Sequence, residues 1–158
     1  MTASGTLETA GSTAVRELTH YVNGAAVPGA SGRTGPVYNP TRGAVAARVP
    51  LASADEVRKA IAAAAAAFPA WAGTPPLHRA RVLFRFKELI QKHIDELAQL
   101  VSEEHGKLIS DARGSVIRGL EIVEFACGMP HLLKGDYTEN VSTGIDSYSM
   151  RQPLGVCA

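Results

Sequence analysis

Leu83, Phe86, Ile90, Ile94, Leu97 and Val101 recur at steps of 3, 4, 4, 3 and 4 along the chain. That spacing returns every apolar side chain to one side of an α-helix and fits no strand. Arg81, Arg85, Glu88, Lys92, Asp95 and Gln99 occupy the opposite side. Thr74-Pro75-Pro76 opens the helix, because proline in a first turn lacks only a donor that would be unused there. Gly106 closes it, in the left-handed conformation that glycine adopts at least cost. A helix with one apolar stripe needs a cover, so the chain must supply further elements that pack on it.

Two more helices are predicted. Ser53 and Glu56 have the spacing of a capping box, and Asp55 and Glu56 sit where the helix dipole favours negative charge. Val57, Ile61 and six consecutive alanines, Ala62 to Ala67, carry this helix to Phe68-Pro69. The third is expected over 110–133, with Ala112, Val116, Leu120, Val123 and Cys127 on one stripe. Before them, Tyr21 to Val27 reads as a hairpin around Asn23-Gly24, and Val37 to Tyr38 and Ala44 to Val49 as short extended segments. After them, residues 136–152 read as a polar hairpin around Thr143-Gly144 in which neither face is cleanly apolar. Leu154 to Ala158 is an uninterrupted apolar stretch, the pattern of a strand buried on both faces of a parallel sheet. A parallel sheet needs further strands and crossovers, so the chain is expected to be the beginning of a longer protein.

Composition narrows the function. The chain has 158 residues and a formal net charge of +1, which argues against a nucleic-acid binder. Aromatic residues make up only 6% of it, and much of the apolar share is alanine, so the core is expected to be thin. Two cysteines are too few for a disulfide framework. No apolar run reaches the length of a membrane span, and residues 1–17 read as a disordered leader rather than a targeting segment. A soluble protein of a reducing compartment, the cytoplasm, is expected.

Most chemistry-bearing residues have a plain structural reading. The five histidines lack ligand spacing, so no metal is expected. Cys127 and Cys157 lie in apolar settings that would not favour a thiolate. No glycine-rich phosphate loop occurs. Arg79, Arg81, Arg85 and Lys87 read as a solvated face, and Asn140-Val141-Ser142 as a chance glycosylation pattern. Lys107 is expected near the negative pole of the helix that ends at Gly106. The third helix is different. Gly114 and Gly119 each cost about 1 kcal/mol relative to alanine there, which suggests a close approach. Between them, Arg118 has two readings: a surface arginine paired with Glu121, or a fork that captures a carboxylate with two parallel bonds.

Tyr38-Asn39-Pro40-Thr41, Phe68-Pro69-Ala70-Trp71, Arg79 to Leu83 and Glu104-His105-Gly106-Lys107 together resemble the opening of the aldehyde dehydrogenase superfamily. Arg118 to Ala126, Gly128 to Gly135 and Arg151 to Val156 resemble more specifically the CoA-acylating methylmalonate-semialdehyde dehydrogenases. The resemblance covers about His20 to Ala158. It implies an α/β fold of which this chain is the N-terminal part: short strands and three helices belonging to the NAD-binding domain over 18–135, an oligomerisation hairpin over 136–152, and the first strand of a Rossmann-like sheet over 153–158. It implies oxidation of malonate or methylmalonate semialdehyde with NAD as cofactor and CoA as co-substrate, giving acetyl-CoA or propionyl-CoA. The implied partners are the remainder of the enzyme and further copies of it, as a dimer or tetramer, without nucleic acid or membrane. Arg118 falls where that family binds the free carboxylate of its substrate. The nucleophilic cysteine and general-base glutamate belong to later segments of the family, so the chain alone is expected to be inactive. Another aldehyde dehydrogenase subfamily, or a non-catalytic helical interaction module, remains the alternative.

Overall fold

The structure, a computed structural model, describes residues 15–158. It divides into two compact units, Met1–Ser53 and Ala54–Ala158. The first unit contains β1 (Arg16–Glu17), β2 (His20–Val22), β3 (Ala25–Val27), β4 (Thr34–Tyr38) and β5 (Val45–Pro50). β2 and β3 form the expected hairpin, turning through Asn23 and Gly24 at φ of 52° and 77°. Two successive positive φ angles define the turn whose twist matches that of its strands. β5 is the middle of a three-stranded sheet, antiparallel to β4 and parallel to β1. Ala47, at its centre, is fully buried. The leader expected over 1–17 falls outside the described residues up to position 14. At its end it is corrected, because Arg16 and Glu17 pair with Ala47 and Arg48.

The second unit opens with α1 (Ala54–Ala72), which starts directly after Ser53 as the sequence suggests. It does not stop at Pro69. Proline removes one helical donor and crowds the preceding turn, yet the helix continues through it to Ala72. The last carbonyls are then taken up locally: Gly73 N donates to Pro69 O, Thr74 N to Trp71 O, and Thr74 Oγ1 to Ala70 O.

The long amphipathic helix is two helices, α2 (Pro76–Lys92) and α3 (Ile94–His105). The break is a single residue, His93, at φ −109° and ψ 21°. Its imidazole Nδ1 lies 2.8 Å from Glu96 Oε2, and Asp95 and Glu96 fill the first turn of α3. The helical bonding continues across the junction, with His93 N donating to Leu89 O and Leu97 N to His93 O. The apolar stripe therefore survives the interruption, with one correction. Phe86 is 49% exposed, and Lys87 takes the half-buried position beside it. Gly106 ends α3 at φ 82° with its N–H on Ser102 O, as expected.

α4 (Ile109–Cys127) carries the predicted stripe inward, with Ala112, Leu120 and Cys127 buried. It ends six residues before the expected Leu133, since Gly128 turns the chain and Pro130 has no N–H with which to extend the ladder. A short α5 (Met129–Leu132) follows. α4 is the hub: α2 and α3 both pack on it. Ala80, Ala98 and Ala112, one on each of the three helices, are essentially inaccessible, and among the described residues no large side chain is comparably enclosed. Ion pairs reinforce both interfaces. Lys87 Nζ reaches Glu124 Oε1 at 2.6 Å, and Arg113 Nε donates to Asp95 Oδ1 at 3.0 Å. The hydrogen bond from Lys87 to Glu124 raises the Lys87 pKa above its ordinary value.

β6 (Tyr137–Ser142) and β7 (Ile145–Tyr148) form the polar hairpin, exposed on both faces. A bulge lies in β6: three residues between Thr138 and Ser142 face the single Asp146 between Ile145 and Ser147. Asp146 fills the gap by accepting from Asn140 N at 2.9 Å and from the Tyr137 hydroxyl at 2.7 Å. Those bonds hold its carboxyl below the usual carboxylate range. At the hairpin's base Gly135 is sterically required, since a Cβ there would lie 1.8 Å from Ser149 O. The strand expected over 153–158 is not formed: none of the described strands pairs with it, and Leu154 is 93% exposed. An apolar segment becomes a strand only where a neighbour takes up its N–H and C=O groups.

The glycines of α4 also depart from expectation. A Cβ on Gly119 would meet nothing within 4 Å, and one on Gly114 would meet only Arg118 Nη1, at 3.6 Å. Neither marks a close approach of another element in this unit. Gly119→Ala is therefore expected to stabilise this chain by about 1 kcal/mol. A rise in the urea midpoint of the helix signal at 222 nm checks it, and an unchanged or lower midpoint refutes it.

Candidate functional site

Arg118 lies on the exposed side of α4, at the middle of the helix. Side chains of an α-helix lean toward its N-terminus, so Arg118 naturally reaches the turn before its own. There its Nη2 donates to Ser115 Oγ at 3.1 Å. The pairing with Glu121 is absent. A Cβ on Gly114 would lie 3.6 Å from Arg118 Nη1, an ordinary contact, so the guanidinium does not depend on the glycine for its place. Ser115 Oγ is its one hydrogen-bond partner among the described residues, so most of its five donors stay available to a ligand.

The same serine oxygen accepts a second cation. Lys107 Nζ donates to Ser115 Oγ at 2.6 Å and lies 3.0 Å from Asp111 Oδ2. The sequence predicts Lys107 beside the C-terminal pole of α3. Instead its carbonyl accepts from Ser102 Oγ at 2.6 Å, and its side chain reaches across the first turns of α4. The ammonium is sheltered, at 19% exposure. Lys107, Asp111, Ser115 and Arg118 succeed one another at steps of 4, 4 and 3, so one face of α4 and the residue entering it gather all four.

The electrostatics are unbalanced. Two permanent cations share one neutral oxygen and one carboxylate, which leaves one positive charge in excess. Asp111 registers it: the hydrogen bond from Lys107, then the charge of Lys107, with smaller contributions from Arg118 and His105, holds its carboxyl below the usual range. A site of this kind attracts an anion, and the planar fork of an arginine favours a carboxylate. Sequence reading picked out Arg118 but missed Ser115 and the forward reach of Lys107. The 4, 4, 3 spacing was the available signal.

The other candidates stay structural. Cys127 is buried in the α4 stripe, and Cys157 is exposed, with only the carbonyl of Gly155 as partner to its Sγ. Arg85 pairs with Glu88 and Lys87 with Glu124, so that basic group is partly neutralised. Among the described residues no cluster of His, Cys, Asp and Glu could hold a metal ion, and no helix is long and apolar enough to cross a membrane.

The shift at Asp111 has a definite sign. Because its folded pKa lies below the ordinary carboxylate value, its pairing stabilises the fold above that value and is lost as pH falls through the folded one. Asp111→Asn is accordingly expected to weaken the dependence of stability on pH between about 5 and about 2. Thermal midpoints across that range measure it; parallel curves for the two proteins would show that the pairing contributes nothing.

The Aldehyde dehydrogenase family pattern matches residues 27–158. Among individual proteins, the malonate-semialdehyde dehydrogenase of Pseudomonas aeruginosa is 49% identical over 141 residues, which is 89% of this chain and 28% of that protein. The acylating mitochondrial methylmalonate-semialdehyde dehydrogenase of Arabidopsis thaliana is 49% identical over 77% of this chain and 20% of its own length. A Sinorhizobium meliloti crystal structure assigned to the methylmalonate-semialdehyde dehydrogenases and complexed with NAD superposes with a TM-score of 0.86 at 46% identity. It is matched over 91% of this chain and 29% of that one. The methylmalonate-semialdehyde dehydrogenase from Oceanimonas doudoroffii gives 0.83 at 49% identity, covering 89% and 28%. The chain thus spans under a third of the length of these relatives. With its strands, helices and hairpin matching part of their fold, it belongs to the aldehyde dehydrogenase family.

Proposed function

We propose that this chain serves as the N-terminal portion of an NAD-dependent, CoA-acylating malonate- or methylmalonate-semialdehyde dehydrogenase. Such an enzyme oxidises the aldehyde, loses carbon dioxide and releases acetyl-CoA or propionyl-CoA. The observation that carries the reading is the 49% identity to a malonate-semialdehyde dehydrogenase across 89% of the chain. NAD accompanies a structural relative, and an acylating reaction is named for another.

The role proposed for this chain's own residues is substrate recognition. Both candidate substrates carry a carboxylate besides the aldehyde, and Arg118 would bind it at the positively charged face of α4. We assign no NAD or CoA contact to the described residues, because they include no glycine-rich loop between a strand and a helix that could cradle a pyrophosphate. The nucleophile is assigned outside them as well, since Cys127 is buried in the α4 stripe and the Cys157 thiol donates to the Gly155 carbonyl, neither being the setting of a nucleophilic thiolate. The β6–β7 hairpin, exposed on both faces, suits a contact between subunits of a dimer or tetramer. Two free cysteines fit a reducing compartment such as the cytoplasm.

The chain alone, given NAD, CoA and malonate semialdehyde, is expected to form no NADH above a blank. Steady absorbance growth at 340 nm would contradict this. Placed over the matching segment of the Pseudomonas aeruginosa enzyme, it is expected to support turnover. In that hybrid, Arg118→Ala should raise KM for malonate semialdehyde by about tenfold or more relative to KM for propanal, which has no carboxylate. Equal losses with both aldehydes would assign Arg118 to the scaffold, and a folded hybrid inert toward semialdehydes would refute the proposed function.

A further inference from the structure

Arg118 has a long side chain on an exposed helix face, and a carboxylate-binding fork is useful only if it is held in one place. Four rotatable bonds give it many alternatives, and each must be lost on binding unless something restricts them beforehand. In this structure the restriction comes from one atom, Ser115 Oγ, at 3.1 Å from Nη2. The serine is itself fixed from the other side by Lys107 Nζ at 2.6 Å, and Lys107 is anchored by Asp111 at 3.0 Å. The order of support runs from Asp111 through Lys107 and Ser115 to Arg118.

We infer that Ser115 is a positioning residue for the substrate carboxylate, its hydroxyl holding the Arg118 guanidinium where the carboxylate is received. The inference rests on the proposal that Arg118 binds that carboxylate, and adds to it the device that orients the fork. The chemistry suits the task. A neutral hydroxyl can accept from two cations through its two lone pairs without cancelling either charge. A carboxylate at the same position would orient Arg118 but would also neutralise it. Asp111, one turn earlier, engages Lys107 and makes no direct hydrogen bond to Arg118.

The test uses the active hybrid enzyme, with KM for malonate semialdehyde compared against KM for propanal. Ser115→Ala is expected to raise this ratio roughly three- to tenfold, with Ser115→Thr, which keeps the hydroxyl, restoring most of it. Combined with Arg118→Ala, Ser115→Ala should add little to the ratio, because the group it orients is gone. If Arg118→Ala is selective but Ser115→Ala leaves the ratio unchanged, or if the two effects multiply, the positioning role is refuted while the carboxylate reading stands. If Arg118→Ala itself shows no selectivity, the carboxylate reading fails, and the positioning role with it. Thermal midpoints of the variants separate either result from simple unfolding: a lower midpoint with an unchanged ratio counts against the inference.

Discussion

Close approach of α2 and α3 to α4 is the constraint on which the second unit depends. Small side chains let helices come close, and here Ala80, Ala98 and Ala112 are the most enclosed residues of the three. Such contacts bury little apolar surface per residue, so their stabilisation by the hydrophobic effect is small. Fixed partners between helices therefore matter more than they would in a leucine-filled core. Lys87 with Glu124 joins α2 to α4, and Arg113 with Asp95 joins α3 to α4. Each pair is partly exposed and contributes modestly to stability, but together they define which residues of the three helices face one another.

The positively charged face of α4 is a product of the same arrangement. α4 is held from the side of Ala112, Leu120 and Cys127, leaving Asp111, Ser115 and Arg118 outward. Lys107 joins them because Gly106 reverses the chain immediately before it. A cap that ends one helix thus delivers a cation to the first turns of the next. Apart from the sheltered Lys107 ammonium, the polarity of this face is arranged along a surface, where solvation costs are low.

Sequence periodicity revealed the helices and their inward stripes, because a 3.6-residue repeat records burial directly. Leu83, Ile90, Ile94, Leu97 and Val101 all turn inward as their spacing requires, and the Asn23-Gly24 and Thr143-Gly144 turns lie where turn chemistry put them. The errors share a physical origin. His93 and Gly128 interrupt helices without interrupting the apolar pattern, so the repeat could not register them. Phe86 and Lys87 exchanged places because a lysine can bury its stem while its ammonium finds Glu124. Continuation through Pro69 reflects tolerance of one lost bond in a run of strong helix formers. At the site, Arg118 stands out beside Gly119, whereas Ser115 has no signature of its own; it is marked only by two side chains that converge on it in space.

The small enclosed residues also reverse the usual geography of mutational tolerance. In most domains, bulky interior positions accept other bulky residues, since the surroundings can repack around a similar volume. Between α2, α3 and α4 the interior offers no such latitude. Ala98 and Ala112 are fully enclosed, so a larger side chain at either would have to displace its surroundings, and rigid helices would carry that displacement toward the ion pairs at their margins. Across related chains, drift should be slowest at these inconspicuous methyl groups and fastest among the large side chains around them.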